Sequence, residues 1–174
     1  YQVNPDVLLY AVAHESWRAG GINGVAPPAL SATLTNTDKF APEVAQDFEV
    51  GLKFAGDVGV TKAHLFLSAY TMRVTNVQRT LFPTNPVNPA LGSIAVTVNV
   101  PAARIKGLEL ETGIEPTSWL SLGVSGAFTD AKFTRSQTLV FGVPTSFGPV
   151  ADTPRWSGSA FAVVTVPLAD DFGT

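Results

Sequence analysis

Residues 105–116, IKGLELETGIEP, set Leu108 and Leu110 against Glu109 and Glu111 in strict alternation and then reach Pro116. Successive side chains of a β-strand point to opposite faces, so this stretch has one apolar and one acidic face. In a water-soluble protein the apolar face meets a core and the acids meet solvent. In an outer-membrane barrel the apolar face meets lipid and the acids meet a wet lumen. The stretch alone fits both.

Composition narrows the choice. Of 174 residues 45% are hydrophobic and only 14% charged, with a mean hydropathy of +0.22, which is greasy for a chain with so few charges. No run approaches the roughly 18 apolar residues of a spanning helix, and 15 Gly and 13 Pro punctuate the sequence. A net charge of -3 offers no basic surface for nucleic acid, so no nucleic-acid partner is expected. The absence of Cys removes disulfides, thiol catalysis and Cys-held metals, and suits a reducing cytosol or a Cys-poor envelope protein equally. The chain opens at Tyr1 without an initiator Met or a basic-then-apolar signal segment, as expected of a mature piece or an excised fragment.

Period-2 segments between breakers predict six strands, at about 6–17, 43–54, 60–73 with an extension toward Arg79, 93–113, 119–134 and 155–167. Alternation is cleanest where Phe48, Val50, Leu52 and Phe54 oppose Glu49, Gly51 and Lys53, and where Leu120, Leu122 and Val124 oppose Ser121, Gly123 and Ser125. AGDVG at 55–59, EPTS at 115–118 and ADDFG at 169–173 read as tight turns, whereas 18–42, 80–92 and 135–152 are long connections. Long loops are uncommon in compact soluble domains, while regular alternation of short and long connections is the habit of membrane barrels. Several segments also exceed the ~5–6 residues of soluble strands and reach the ~9–11 that cross a bilayer at a tilt. Six strands fall short of the smallest closed membrane barrels, at about 8, and hydrocarbon does not tolerate open edges. The expected fold is therefore all-β: an antiparallel up-and-down meander of about six long strands, a partial transmembrane β-barrel.

Three segments, in order and spacing, resemble the TonB-dependent receptors of Gram-negative outer membranes. FAPEVAQDFEVGLKF (Phe40 to Phe54) is similar to the family's PE followed by E-x-G-x-K. YTMRVTNVQ (Tyr70 to Gln78) is similar to its long strand ending in V-Q, and NVPAARIKGLELE (Asn99 to Glu111) to its N-x-x-x-A-x-x-x-G-x-E-x-E segment. WLSLGVSGAFTDAKF and PRWSGSAF continue the match over nearly the whole chain. The resemblance implies a barrel of about 22 strands and an N-terminal plug carrying the TonB-contacting box. Neither plug nor box is found in this sequence, so residues 1–174 are expected to be one interior segment of the barrel, with plug and final strands absent. It further implies active transport in the outer membrane: a scarce nutrient such as a siderophore, vitamin or carbohydrate is bound and imported with energy passed by the TonB system through a plug. Outer-membrane lipid is the other expected partner. The alternative is a secreted soluble β-sandwich or adhesin-type ligand-binding module, with apolar faces packed on one another.

No constellation supports an enzyme, and no catalytic, cofactor or metal site is expected. His14 and His64 lie on different strands without an i, i+4 partner, which suits a structural or lumen role better than metal ligation. Glu109 and Glu111 are adjacent on one strand, whereas a glycosidase holds its carboxylates across a bound sugar. GVSG at 123–126 lacks the spacing of a nucleophile elbow. Trp17, Trp119 and Trp156, with Tyr10 and Phe128, are candidates for interfacial aromatic girdles. Substrate-contact candidates are the aromatic and basic residues of the long connections: Trp17 and Arg18, Arg79 and Phe82, Arg135 and Phe147. One feature fits poorly. By strict parity Arg104 and Lys106 share the face of Leu108 and Leu110, and a bulge near Gly107 or snorkelling of the long stems must relieve them.

Overall fold

A computed structural model describes residues 1–24, 39–82, 90, 92, 93, 95–135, 137–140 and 143–166. Its strands are β1 (Gln2–Asn4), β2 (Val7–Arg18), β3 (Gly21–Ile22), β4 (Lys39–Phe40), β5 (Glu43–Val58), β6 (Thr61–Thr75), β7 (Val77–Leu81), β8 (Val96–Val100), β9 (Ala103–Thr117), β10 (Leu120–Phe133), β11 (Gln137–Val140), β12 (Val143–Ser146) and β13 (Trp156–Val164). One 7-stranded sheet runs β1-β2-β5-β6-β9-β10-β13, antiparallel throughout and open at β1 and β13. Three two-stranded ribbons, β3–β4, β7–β8 and β11–β12, lie within the long connections. The predicted meander of long strands is what forms.

The turns are tighter than the sequence suggests. Only Gly59 and Val60 separate β5 from β6, with Gly59 at φ +67, and only Ser118 and Trp119 separate β9 from β10. Most of AGDVG and EPTS is therefore strand. A further turn at Pro5–Asp6 joins the short β1 to β2, closed by the Asp6 N–H donating to the Asn4 side-chain oxygen at 2.9 Å. The three turns share one end of the sheet, and the long connections leave from the other. The expected ADDFG turn lies outside the described residues.

One predicted strand, 93–113, is two. Pro101 and Ala102 interrupt it, because proline has no N–H to continue the ladder. Across the sheet Asn76 breaks the neighbouring strand with φ 52. The two breaks face one another, so β7 and β8 pair with each other (Val77↔Val100) and leave the main sheet together.

Register fixes the faces. In one continuous band Leu9 lies opposite Leu52, Leu52 opposite Leu67, Leu67 opposite Leu110 and Leu110 opposite Gly126. The adjoining rows carry Phe48, Val50, Phe54, Leu65, Leu108, Leu122, Val124 and Phe128 on the same side. Among the described residues nothing covers this belt. Leu9, Phe48, Val50, Leu67, Leu108, Leu110 and Val124 stand 38% to 53% exposed, which is unlike the paired inner faces of a sandwich. Among the described residues the buried apolar side chains are instead Val77, Val96, Val100 and Ala103, where the sheet hands over to the β7–β8 ribbon.

Arg104 and Lys106 keep the parity of the belt. Pairing runs unbroken from Ala103 to Gly113 against both β6 and β10, so Gly107 is no bulge. Position relieves Arg104, which with Arg73 and Lys132 lies one row past Phe48; Lys106 stays in the Phe48 row, between Thr71 and Asp130, with a carboxylate opposite it.

Candidate functional site

The face opposite the belt carries polar side chains. Tyr10, Ser68, Glu109 and Ser157 fall in one row, and Lys53, Phe66, Glu111, Ser125 and Ser159 in the next. Tyr10 donates to Glu49 at 2.5 Å, the Ser125 and Ser159 hydroxyls meet at 2.8 Å, and Tyr70 and Thr129 at 3.1 Å. The Lys53 ammonium sits 5.4 Å from the Tyr10 ring centroid and 5.8 Å from that of Phe66, which is cation–π range. His14 lies 3.0 Å from Asp47 on this face, and His64 packs at 5.4 Å against Phe66.

Small residues make room for large ones. An added Cβ on Gly107 would meet the Phe128 carbonyl oxygen at 2.5 Å and the Tyr70 hydroxyl at 2.6 Å. The rings of Tyr10, His64 and Phe161 lie in the same way over Gly51, Gly113 and Gly123. Between the rings runs a groove of about 370 Å³ whose lining includes Tyr10, Glu49, Phe66, Ser68, Glu109 and Glu111. Glu109 and Glu111 form no ion pair among the described residues, so the groove presents free acceptors beside aromatic surfaces.

At the loop end three amides tie the long connections together. Gln78 is 3% exposed; its N–H donates to Glu43 at 2.6 Å and its side-chain amide to the carbonyls of Ala19 (2.9 Å) and Ala41 (3.1 Å). The Asn99 side chain accepts from the Ala41 N–H at 2.6 Å and donates to the Ala41 and Asn76 carbonyls at 3.0 and 2.7 Å. Asn23 exchanges two bonds with the backbone of Thr97, at 2.8 and 2.9 Å. Each amide spends its donors on backbone carbonyls that irregular chain leaves unpaired, and Asn99 and Asn23 also accept from a backbone N–H. Beneath them Val77, Val100 and Ala103 pack with Val74, Val98, Phe133, Phe147 and Val150. Residues 19–23, 39–43, 76–82, 95–100 and 147–150 thus form a cap joined across the sheet.

The six substrate-contact candidates are spread over this end. Trp17 is 72% exposed and has the parity of the apolar belt, whereas Arg18, opposite Glu43, faces the polar side. Arg79 is half-buried on β7, and Phe82 beyond it is 69% exposed. Arg135 is exposed just after β10; Phe147 packs on Phe133 at 5.7 Å as part of the cap cluster. None of the six lines the 370 Å³ groove. Of the aromatic candidates, Trp119 stands at a short turn and Trp156 stacks on Phe128 at 4.7 Å on the belt, but Tyr10 faces the polar side and belongs to no girdle. Sequence reasoning missed Gln78 and Asn99. Both end or begin segments quoted above for their resemblance, and a lone amide beside an apolar strand was the available signal.

No curated protein matches the chain. The family model for the TonB dependent receptor-like β-barrel matches residues 1–173. A match of that extent, on an open antiparallel meander greasy on one face and polar on the other, means that the chain belongs to the TonB-dependent receptor β-barrel family, whose members are transporting receptors of the Gram-negative outer membrane rather than enzymes.

Proposed function

We propose that this chain is a segment of the barrel of an active importer, with further strands closing the wall and a plug supplied by sequence outside residues 1–174. The receptor binds a scarce nutrient, such as a siderophore, vitamin or carbohydrate, at the long connections. It passes the nutrient along the polar face, driven by energy delivered through the plug by the TonB system. The observation that carries this reading is the uncovered apolar belt backed by a polar face: lipid satisfies the first and a water-filled lumen the second. Loops vary the chemistry of a shared scaffold, so selection belongs to the side chains of the cap, with Arg18, Arg135 and the half-buried Arg79, which donates to the Gln78 carbonyl at 3.3 Å, suited to an anionic ligand and Phe82 to a planar one.

The test is a loop exchange in the intact receptor. Residues 136–146 are replaced by a short Gly-Ser linker, keeping Phe147 and Val150 so that the cap cluster stays covered. Uptake on each nutrient class as sole source should be lost for one class while surface expression stays normal. Unchanged uptake removes this loop from recognition and leaves the connections at 19–42 and 76–102.

A further inference from the structure

The side of the sheet that carries the apolar belt also carries a cluster of cations. Reading across the strands one row past Phe48, Gln46 lies opposite Arg73, Arg73 opposite Arg104 and Arg104 opposite Lys132. In the Phe48 row itself, Phe48 lies opposite Thr71, Thr71 opposite Lys106 and Lys106 opposite Asp130. Cross-strand partners stand about 4.5–5.5 Å apart, and like charges so placed destabilise the pairing. The local anions are already engaged: Asp130 holds Lys132 at 2.9 Å, and Glu15 accepts from Gln46 at 2.7 Å. Arg73, Arg104 and Lys106 are exposed and form no hydrogen bond or ion pair among the described residues. A groove of about 400 Å³ runs between them, with Gln46, Asp47, Phe48 and Thr71 in its wall; the Asp47 carboxylate has the parity of the opposite face and is held there at 3.0 Å by His14.

We propose that Arg73, Arg104 and Lys106 form a site for the phosphate of an anionic membrane lipid whose acyl chains lie along the belt. The inference rests on the membrane reading above. Three features select a lipid over a free anion. The cations face outward with the belt, not inward with the polar groove. Phe48 and Leu108 adjoin them in the next same-face positions, so a ligand seated on the cations has hydrocarbon contacts within reach. The arginine pair offers two guanidinium forks to one tetrahedral oxyanion, which removes the like-charge cost that the bare sheet carries. Lys132, already neutralised, is peripheral to the site.

The experiment uses the intact receptor, purified in micelles doped with phosphatidylglycerol or with phosphatidylcholine, and counts retained lipid by native mass spectrometry. Wild type should retain phosphatidylglycerol selectively and lose it as salt rises. R73Q/R104Q should weaken that retention roughly 25-fold, about fivefold per cation removed, and R73K/R104K should restore most of it. K62Q, which removes a cation near a short turn on the polar face, should change nothing. K106Q provides the same test with a single change should the double variant fail to fold. Equal retention by wild type and K106Q, equal loss in K62Q, or equal displacement by millimolar inorganic phosphate overturns the lipid site. A receptor that stays monomeric in plain buffer overturns the membrane reading itself, and one that needs detergent yet holds both lipids alike overturns only the site.

Discussion

The belt and the cap use the same residue types to opposite ends. In the belt, Leu67, Leu108 and Leu110 lie on long regular strands and are left open on one side. In the cap, Val77, Val96 and Val100 lie on strands of five residues and are shut away, with Val96 fully buried. On the function proposed above, lipid completes the first arrangement, so its strands need only alternate. Water surrounds the second, so it needs a core and a partner for every backbone group that the irregular chain leaves free, which Gln78, Asn99 and Asn23 supply. The difference locates stability: the belt depends on its solvent, the cap on itself.

The sharpest way to break this division is a charge in the middle of the belt. Leu110→Arg should cost about 2–4 kcal/mol of stability in a bilayer, against about 0–1 for Gln46→Arg at the margin. Urea titration of the intact receptor in vesicles, read by tryptophan fluorescence, compares the two. Equal costs would mean that the belt does not face lipid.

Within the sheet, Gly107→Ala should cost about 1–3 kcal/mol, because the new methyl meets a backbone carbonyl that has nowhere to go. Gly126→Ala is its control, since the nearest atom there is 3.9 Å away, and should be nearly silent in the same titration.

In the cap, Gln78→Ala leaves the carbonyls of Ala19 and Ala41 without that donor and should cost about 1–3 kcal/mol. The loss should be local. Amide hydrogen exchange should quicken at 39–43, 77–81 and 96–100 while the belt strands keep their protection, and faster exchange throughout would show cap and belt to be one cooperative unit. Val96→Ala, which empties a fully buried site, should cost about 1–2 kcal/mol with the same local signature. The smallest effect belongs to Asp130→Asn: it removes the carboxylate that holds Lys132 and faces Lys106, and should lower the unfolding midpoint in the same titration by less than Val96→Ala does.

The belt was legible in the sequence because a bilayer imposes one rule on a strand. Leu108, Glu109, Leu110 and Glu111 could be assigned to faces by counting, and the short turns fell within two or three residues of where Gly and Pro mark them. The cap was not legible for a reason its residues make plain. VTVNV at 96–100 alternates as well as any belt strand, and only Pro101, together with the left-handed Asn76 across from it, separates the two. Period 2 reports that one face is greasy, not what covers it. Tyr10 shows the converse: an aromatic near a strand end reads as a girdle residue, but its ring was placed by the vacant side of Gly51 on the facing strand.

Those vacant sides carry a consequence for how the sheet is assembled. A slip of one residue between strands reverses every face and is rejected by the bilayer. A slip of two keeps grease on grease and polar on polar, so the hydrophobic pattern is blind to it. The rings are not. Tyr10 moved two places along its partner would stand over Glu49 or Lys53 instead of Gly51; Tyr70 over Ile105 or Glu109 instead of Gly107; Phe161 over Ser121 or Ser125 instead of Gly123. Each aromatic and its glycine therefore act as a key and its notch. Distributed over three strand pairs, they count residues for a chain whose solvent can only tell odd from even.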